Sequence, residues 1–381
     1  MRRLVLPLVV SVLLAGPAQA PAASFEVLAQ FPAPGTDTYA LAVSADGQVV
    51  VGAGMDGVER PFRWTAAEGM VGFTGNAGRA YDLSADGSVV VGFLRGGPSW
   101  LIEAFRWTQQ EGVVILPMPP DWDDNTTATG VSAHGSIIVG KAGSYDDGRL
   151  FRWTESEGMV DLGRQGRSGP GSCPQISPDG SVIVGNDPER GAFRWTQETG
   201  RTYLGTLPDA LGNPFAYNVS ADGSAIVGTI PYGVGESGDA PFRWTEEEGI
   251  VVLAKADVGD AAGDEVFEGW ATAVSRDGSV VVGMDTYYGP FIWDAEHGAC
   301  DLAYMLEQQY DLEFGGFELV GVMDITADAR VMVGYGYYED PLGRPGSYQA
   351  WRVVVPEPST TMLLITGLFA FLLYQRRNVL V

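Results

Sequence analysis

Residues Ser44–Phe73 read SADGQVVVGAGMDGVERPFRWTAAEGMVGF. Asp46-Gly47 suits a two-residue type I′ hairpin turn, which needs positive φ at both central residues. The run Val49–Val51 is continuous rather than alternating and ends at Gly52. That pattern suits a strand covered on both faces. A Gly-containing loop leads to Pro61-Phe62-Arg63-Trp64-Thr65. A second turn at Glu68-Gly69 then leads to Met70–Phe73. With one strand entering the first turn, four strands of about five or six residues fit into about 35 to 40 residues.

The unit recurs. The turn reads SADG at Ser84, SAHG at Ser132, SPDG at Ser177, SADG at Ser220, SRDG at Ser275 and a worn TADA at Thr326. The next strand reads VVVG at Val89, IIVG at Ile137, VIVG at Val182, AIVG at Ala225, VVVG at Val280 and VMVG at Val331. The aromatic strand reads AFRWT at Ala104, LFRWT at Leu150, AFRWT at Ala192, PFRWT at Pro241, PFIWD at Pro290 and QAWRV at Gln349. Its tryptophans, Trp64, Trp107, Trp153, Trp195, Trp244, Trp293 and Trp351, stand 43, 46, 42, 49, 49 and 58 residues apart. Four short strands repeating at this period predict an all-β chain, a single seven-bladed β-propeller of four-stranded blades. Helix is expected only as a turn or two near Leu302–Gln309.

The ends differ from the repeats. Residues 1–23 read as a signal peptide: Arg2 and Arg3, an apolar stretch from Leu4 to Leu14, then small residues. Cleavage is expected after Ala18-Gln19-Ala20 or, because Pro21 is awkward beside that site, around Ala22 and Ala23. The propeller then occupies residues 24–355. Phe25–Phe31 matches the last strand of each unit, whereas the seventh unit lacks one after Val353. The spare strand is therefore expected to complete the blade carrying Trp351, since an open ring leaves blade faces in water. Residues 356–381 form a sorting or anchor segment. Pro356-Glu357-Pro358 breaks regular structure, Thr360–Tyr374 is apolar, and Arg376-Arg377 follow. A transmembrane helix is expected over about 359–375. By the positive-inside rule, Arg376 and Arg377 stay in the cytoplasm and the propeller lies outside.

Glycine (52 residues), proline (23) and tryptophan (10) are abundant, and charged residues are only 19%. This fits many tight turns around a substantial core. The net charge is −25, and removing both ends would take away four arginines. So negative a field disfavours nucleic acid and anionic lipid as partners. Cys173 and Cys300 fall far apart in the repeat register, so both are expected as free thiols.

The search for chemistry nominates no catalytic, cofactor-binding or metal-binding residue. His134 and His297 occupy positions of the two repeated turns, which accounts for both. No HExxH, GxSxG or phosphate-binding loop occurs. The acids of Asp121-Trp122-Asp123-Asp124-Asn125 are spaced as calcium ligands are, but the glycine and later glutamate of an EF-hand loop are missing. The arginines beside the tryptophans repeat with the unit and read as stacking or ion-pairing residues. Long loops interrupt the pattern at Trp122–Thr127, Tyr232–Asp239, Asp257–Trp270 and Tyr337–Tyr348. Loops on a rigid scaffold are where a ligand is expected.

The strand order resembles WD-repeat propellers, although Trp-Asp occurs only at Trp293-Asp294. The unit VSxDGxVVVG…AFRWTxxxGMxxLG, seen here at Met159-Val160-Asp161-Leu162-Gly163 for its ending, resembles the bacterial extracellular HAF repeat over most of residues 40–352. The order PEP, apolar helix and basic end resembles the PEP-CTERM sorting signal, carried by Pro356, Glu357, Pro358, Arg376 and Arg377. The resemblance implies a Gram-negative host, and an exosortase and the secretion machinery as partners. The chain would be anchored transiently in the membrane, then passed to the cell surface or a biofilm matrix. Exopolysaccharide is a candidate ligand. Two functions compete: a binding or structural propeller without enzymatic activity, or a propeller enzyme (hydrolase or lyase) on extracellular polysaccharide. The enzyme would bring acids and aromatics unique to one or two blades to a channel mouth. The sequence shows mainly repeat-wide residues, which favours the non-enzyme.

Overall fold

The computed structural model describes residues 22–28, 35–55, 57–96, 101–122, 125–143, 148–166, 174–233, 238–255, 266–339 and 346–356. Six of the recurring units each form one four-stranded antiparallel sheet with its strands in chain order, the seventh supplies three strands of its sheet, and seven sheets make the propeller of Ala23–Val354. In the first blade the strands are Asp37–Val43, Val49–Met55, Glu59–Thr65 and Gly69–Gly72. The innermost strands of the later blades are Ala77–Leu83, Thr126–Val131, Gln175–Ile176, Phe215–Val219, Gly269–Val274 and Phe317–Ile325.

The ring closes as the repeat count requires. Ser24–Val27 pairs with Gln349–Val354 as the outermost strand of the seventh blade, from Ser24 opposite Val354 to Val27 opposite Trp351. The Phe25 ring packs on Phe314 at 4.8 Å and on Phe317 at 5.5 Å. Leu28 is buried, and its N–H donates to Ala350 O at 2.8 Å.

The SxDG turn is not type I′. Gly47 has φ 71°, but no aspartate of these turns has positive φ. Two side chains close the turn instead. The Ser44 hydroxyl donates to Asp46 (2.7 Å) and accepts the Val49 N–H (2.9 Å), while Asp46 also accepts the Gln48 N–H. Ser84-Asp86, Ser177-Asp179, Ser220-Asp222, Ser275-Asp277 and Thr326-Asp328 repeat this arrangement. Local side-chain bonds of this kind explain why both residue types recur. In the worn copy, Ala329 holds the position at φ 57° without being glycine.

The glycine ending the apolar strand in every blade but the fourth has a different cause. The inner strands bulge one or two residues after the point where they face it, as at Ala40/Ala42 and Ala128/Gly130. The inner-strand backbone thereby comes close: a Cβ at Gly52 would lie 1.9 Å from Tyr39 O, and one at Gly140 would lie 2.0 Å from Thr127 O. On the other side lies the aromatic of the third strand, and Phe62, Phe105, Phe151, Phe193 and Phe242 are all fully buried. The seventh blade corrects the sequence alignment here. Trp351 faces Gly334 just as Phe62 faces Gly52, so it fills the phenylalanine position, and Val353 stands where Trp64 stands.

The repeated arginines mostly pair with the glutamate of the next turn: Arg63–Glu68, Arg106–Glu111, Arg152–Glu157 and Arg243–Glu248 at 2.5–3.1 Å. The glutamates are more than half exposed, so solvent screens these pairs and they add little to stability. The one helix among the described residues, Leu302–Tyr310, starts at Asp301, whose side chain accepts the Tyr304 N–H. Cys300, in the last strand of the sixth blade, has a free thiol whose pKa burial raises to about 11. Cys173 lies outside the described residues, as do Ala18 and Ala20 of the signal segment and Glu357, Pro358, Arg376 and Arg377 of the tail. Among the described residues no helix is long and apolar enough to cross a membrane.

Candidate functional site: the central channel

The inner strands surround a cavity of about 740 Å³. Its lining follows from position relative to the repeated serine. Three residues before it stand Leu41, Tyr81, Thr129, Pro174, Tyr217, Thr272 and Met323. All but Pro174 are the bulged residues of their strands and line the cavity. A bulge leaves one residue out of the ladder and re-aims it, here toward the axis. Directly after the serine stand Ala45, Ala85, Ala133, Pro178, Ala221, Arg276 and Ala327, which ring the end of the cavity. Backbone bonds tie this rim: Ala45 N–H to Ala85 O, Ala85 N–H to Ala133 O, Ala133 N–H to Pro178 O and Arg276 N–H to Ala327 O, at 2.7–3.0 Å. Pro178 has no N–H with which to continue the pattern to the fifth blade.

Two residues before the serine the blades differ again: Ala42, Asp82, Gly130, Gln175, Asn218, Ala273 and Asp324. The polar ones latch neighbouring blades. Asp82 accepts the Val131 N–H of the third blade (2.8 Å) and the Leu83 N–H of its own (2.8 Å). Asp324 accepts the Val43 N–H across the closing seam (3.0 Å) and the Ile325 N–H (2.8 Å). Asn218 donates to Thr272 O (3.2 Å), and Gln175 donates to Thr129 O (2.9 Å).

Both carboxylates keep some exposure to the channel but sit deep in the propeller wall. Burial raises Asp82 to about 8 against the pull of the two N–H donors, and the charge of Asp324 adds to the shift. Burial raises Asp324 to about 7 against its own two donors. Each can therefore give or take a proton near neutrality. Arg79, Tyr81, Lys141 and Tyr217 line the same cavity. Arg79 pairs with Glu59, and Lys141 is buried with its Nζ donating to Gly166 O at 3.3 Å.

These shifts set a direction for stability. A carboxyl whose folded pKa lies above its unfolded value makes the folded state bind the extra proton, so stability falls as pH rises from about 4 to about 8. The melting temperature is expected to fall between pH 5 and pH 9, and the Asp82→Asn/Asp324→Asn variant to show a shallower fall. Asn218 already occupies the equivalent position in the fifth blade. Thermal scans of both proteins check this; parallel curves would refute it, because the general repulsion of a chain at −25 acts on both.

Among the described residues of the loops favoured by the sequence, only those of Trp122–Thr127 contribute to this cavity, through Asn125 and Thr127. In Tyr337–Tyr348 the Tyr348 ring packs 5.6 Å from Tyr335 and 5.8 Å from Tyr39 at the closing seam. Residues 234–237 and 256–265 lie outside the described residues. His297 bonds Asp294 at 2.9 Å within its turn, and His134 sits in the turn of the third blade. Among the described residues no group of three or more His, Cys, Asp or Glu is placed to hold a metal ion. Sequence reading missed Asp82 and Asp324, although their fixed offset from the repeated serine was a usable signal.

No protein-family model matches the chain, and no curated protein matches it. Solved structures do match. An oligogalacturonate lyase in complex with manganese is 12% identical over 89% of this chain and 98% of that one, with a TM-score of 0.55. The oligogalacturonate lyase of Vibrio parahaemolyticus gives 12%, the same coverage and a TM-score of 0.56. At this identity the likeness shows the shared fold.

Proposed function

We propose that the protein is a propeller enzyme acting on extracellular polysaccharide, with the central channel as its working site. One observation carries this reading: acids and aromatics confined to two blades each, Asp82 with Asp324 and Tyr81 with Tyr217, converge on one cavity. That is the arrangement an enzyme was expected to show and a plain scaffold was not. The fold shared with two oligogalacturonate lyases supports the same substrate class. One of those lyases holds manganese, but the described residues here offer no matching ligand group, so no step is routed through a metal. Asp82 and Asp324 would exchange protons with the sugar.

Incubating the purified protein with oligogalacturonate, other uronans and neutral glucans, and following chain shortening, tests the reading. Turnover is expected on at least one polymer, and Asp82→Asn/Asp324→Asn is expected to lower it about 100-fold or more. No turnover on any polymer would sink the enzyme.

A second reading is a binding or structural propeller. It is favoured by the two carboxylates themselves, whose oxygens already accept backbone N–H groups that latch the blades. Saccharide binding without turnover would then be found. In either case we propose export through residues 1–23 and exosortase processing near Pro356. Mass spectrometry of the mature protein would contradict this if it found the chain intact to Val381.

A further inference from the structure

We infer that Arg276 selects acidic saccharides, by holding the carboxylate of a uronate unit at the end of the channel ringed by the repeated turns; the inference rests on the polysaccharide reading above. The residue directly after the repeated serine is small in six blades: Ala45, Ala85, Ala133, Pro178, Ala221 and Ala327. In the sixth blade it is Arg276, which is exposed. All seven line the cavity. One long cation therefore shares the rim with six short side chains, which leave room beside it for a ligand. Neighbouring blades hold its backbone: the Arg276 N–H donates to Ala327 O at 2.9 Å, and Arg276 O accepts the Asp222 N–H at 3.2 Å.

The charge of Arg276 is left over. Of the other cations lining the cavity, Arg79 pairs with Glu59 and Lys141 donates to Gly166 O. The Arg276 guanidinium makes no ion pair or hydrogen bond among the described residues. The acids of the turns beside it are turned to their serines. Asp277 accepts the Ser275 and Ser279 hydroxyls at 3.0 and 2.7 Å, and Asp222 accepts those of Ser220 and Ser224 at 2.7 and 2.6 Å. In a chain with 48 acids and 23 lysines and arginines, an arginine without an acid is the exception. Its planar fork fits a carboxylate through two parallel hydrogen bonds. Asp82 and Asp324 stand three residues further back from the rim, roughly 10 Å at most. A uronate held by Arg276 therefore leads the next units of its chain toward them. Both would oppose an anion, but burial keeps them largely protonated in mildly acidic solution.

The test pairs one sugar with and without its charge. Binding of oligogalacturonate and of its methyl ester is measured calorimetrically at mildly acidic pH for the full-length wild type, Arg276→Ala and Arg276→Lys. Alanine holds this position in five blades, so the first variant restores the common rim. The wild type is expected to prefer the acid at least about tenfold, as hydrogen bonds to a charged group allow. Arg276→Ala should lose that preference while binding the ester as before. Arg276→Lys should keep part of it, since it carries the charge without the fork. A structural role would weaken both ligands alike, and that result overturns the inference. So does an Arg276→Ala protein that keeps the preference, or a wild type that binds acid and ester equally, and both leave the polysaccharide reading standing. Should Arg276→Ala fail to fold, Arg276→Gln replaces it, and the wild-type ratio remains a test on its own. Binding of neither ligand overturns the inference and, if neutral glucans also fail to bind, the polysaccharide reading with it.

Discussion

A chain lacking Ser24–Val27 is expected to lose cooperative folding at ordinary temperature or to melt far below the intact propeller. These four residues are the whole outer strand of the seventh blade. Their ladder with Gln349–Val354 contributes a few backbone hydrogen bonds, each worth about 0.5–1.5 kcal/mol net. Phe25, which is half-buried, adds its packing on Phe314 and Phe317, a part of the about 1.5–3 kcal/mol that fully burying such a ring contributes. Together these approach about 5 kcal/mol, against a total stability of about 5–15 kcal/mol for a typical native protein. The loss is also not local. Without the strand, Gln349–Val354 becomes an open edge beside Trp351, which is fully buried, and exposed edges invite association. Calorimetry and light scattering check both effects. An unchanged melting temperature would show that the seam is held by the inner strands alone, through Asp324 to Val43 and Tyr39 to Tyr335.

The blades were legible because their cause is repeated. Nearly every turn uses the same serine and aspartate, each second strand the same glycine, and each third strand a buried aromatic, so one unit read correctly gives seven. The helix at Leu302–Tyr310 and the closing strand were legible as departures from that unit. The turn type was misread because Asp-Gly suggests a backbone-only hairpin, whereas the Ser44 and Asp46 side chains complete this one. Trp351 was misaligned because tryptophan marked the strand, and only pairing with Gly334 shows that it replaces phenylalanine. The channel was illegible for a deeper reason. A repeat is recognised by what recurs, and the channel is made of what does not: Tyr81 against Leu41, Asp82 against Ala42, Lys141 against Ala53. Variation at a fixed offset looks like wear until the bulge shows that the offset points at the axis.

The same bulge predicts a severe effect from the smallest possible side chain. Gly140→Ala is expected to destabilise the propeller by about 3 kcal/mol or more, at the upper end of overpacking costs. The added methyl would lie 2.0 Å from Thr127 O, 2.6 Å from Phe151 Cζ and 2.8 Å from Phe151 Cε1. The first contact is backbone, held in the ladder that pairs Thr127 with Lys141 and Ala128 with Gly140. The second is a fully buried ring that packs in the third-blade core with Ile138 and Ala142. Neither can retreat without opening the strand that carries Asn125 and Thr127 to the channel wall. In a domain this large, each kcal/mol moves the melting temperature by roughly 2 °C, so a fall of about 6 °C or more is expected. Gly75→Ala is the control. A Cβ there meets nothing within 4 Å and φ is not positive, so its melting temperature should stay within about 1 °C of wild type, as for other surface changes. Equal melting temperatures for the two variants would mean that the inner strand yields, and that the glycine repeats for some reason other than the carbonyl it faces.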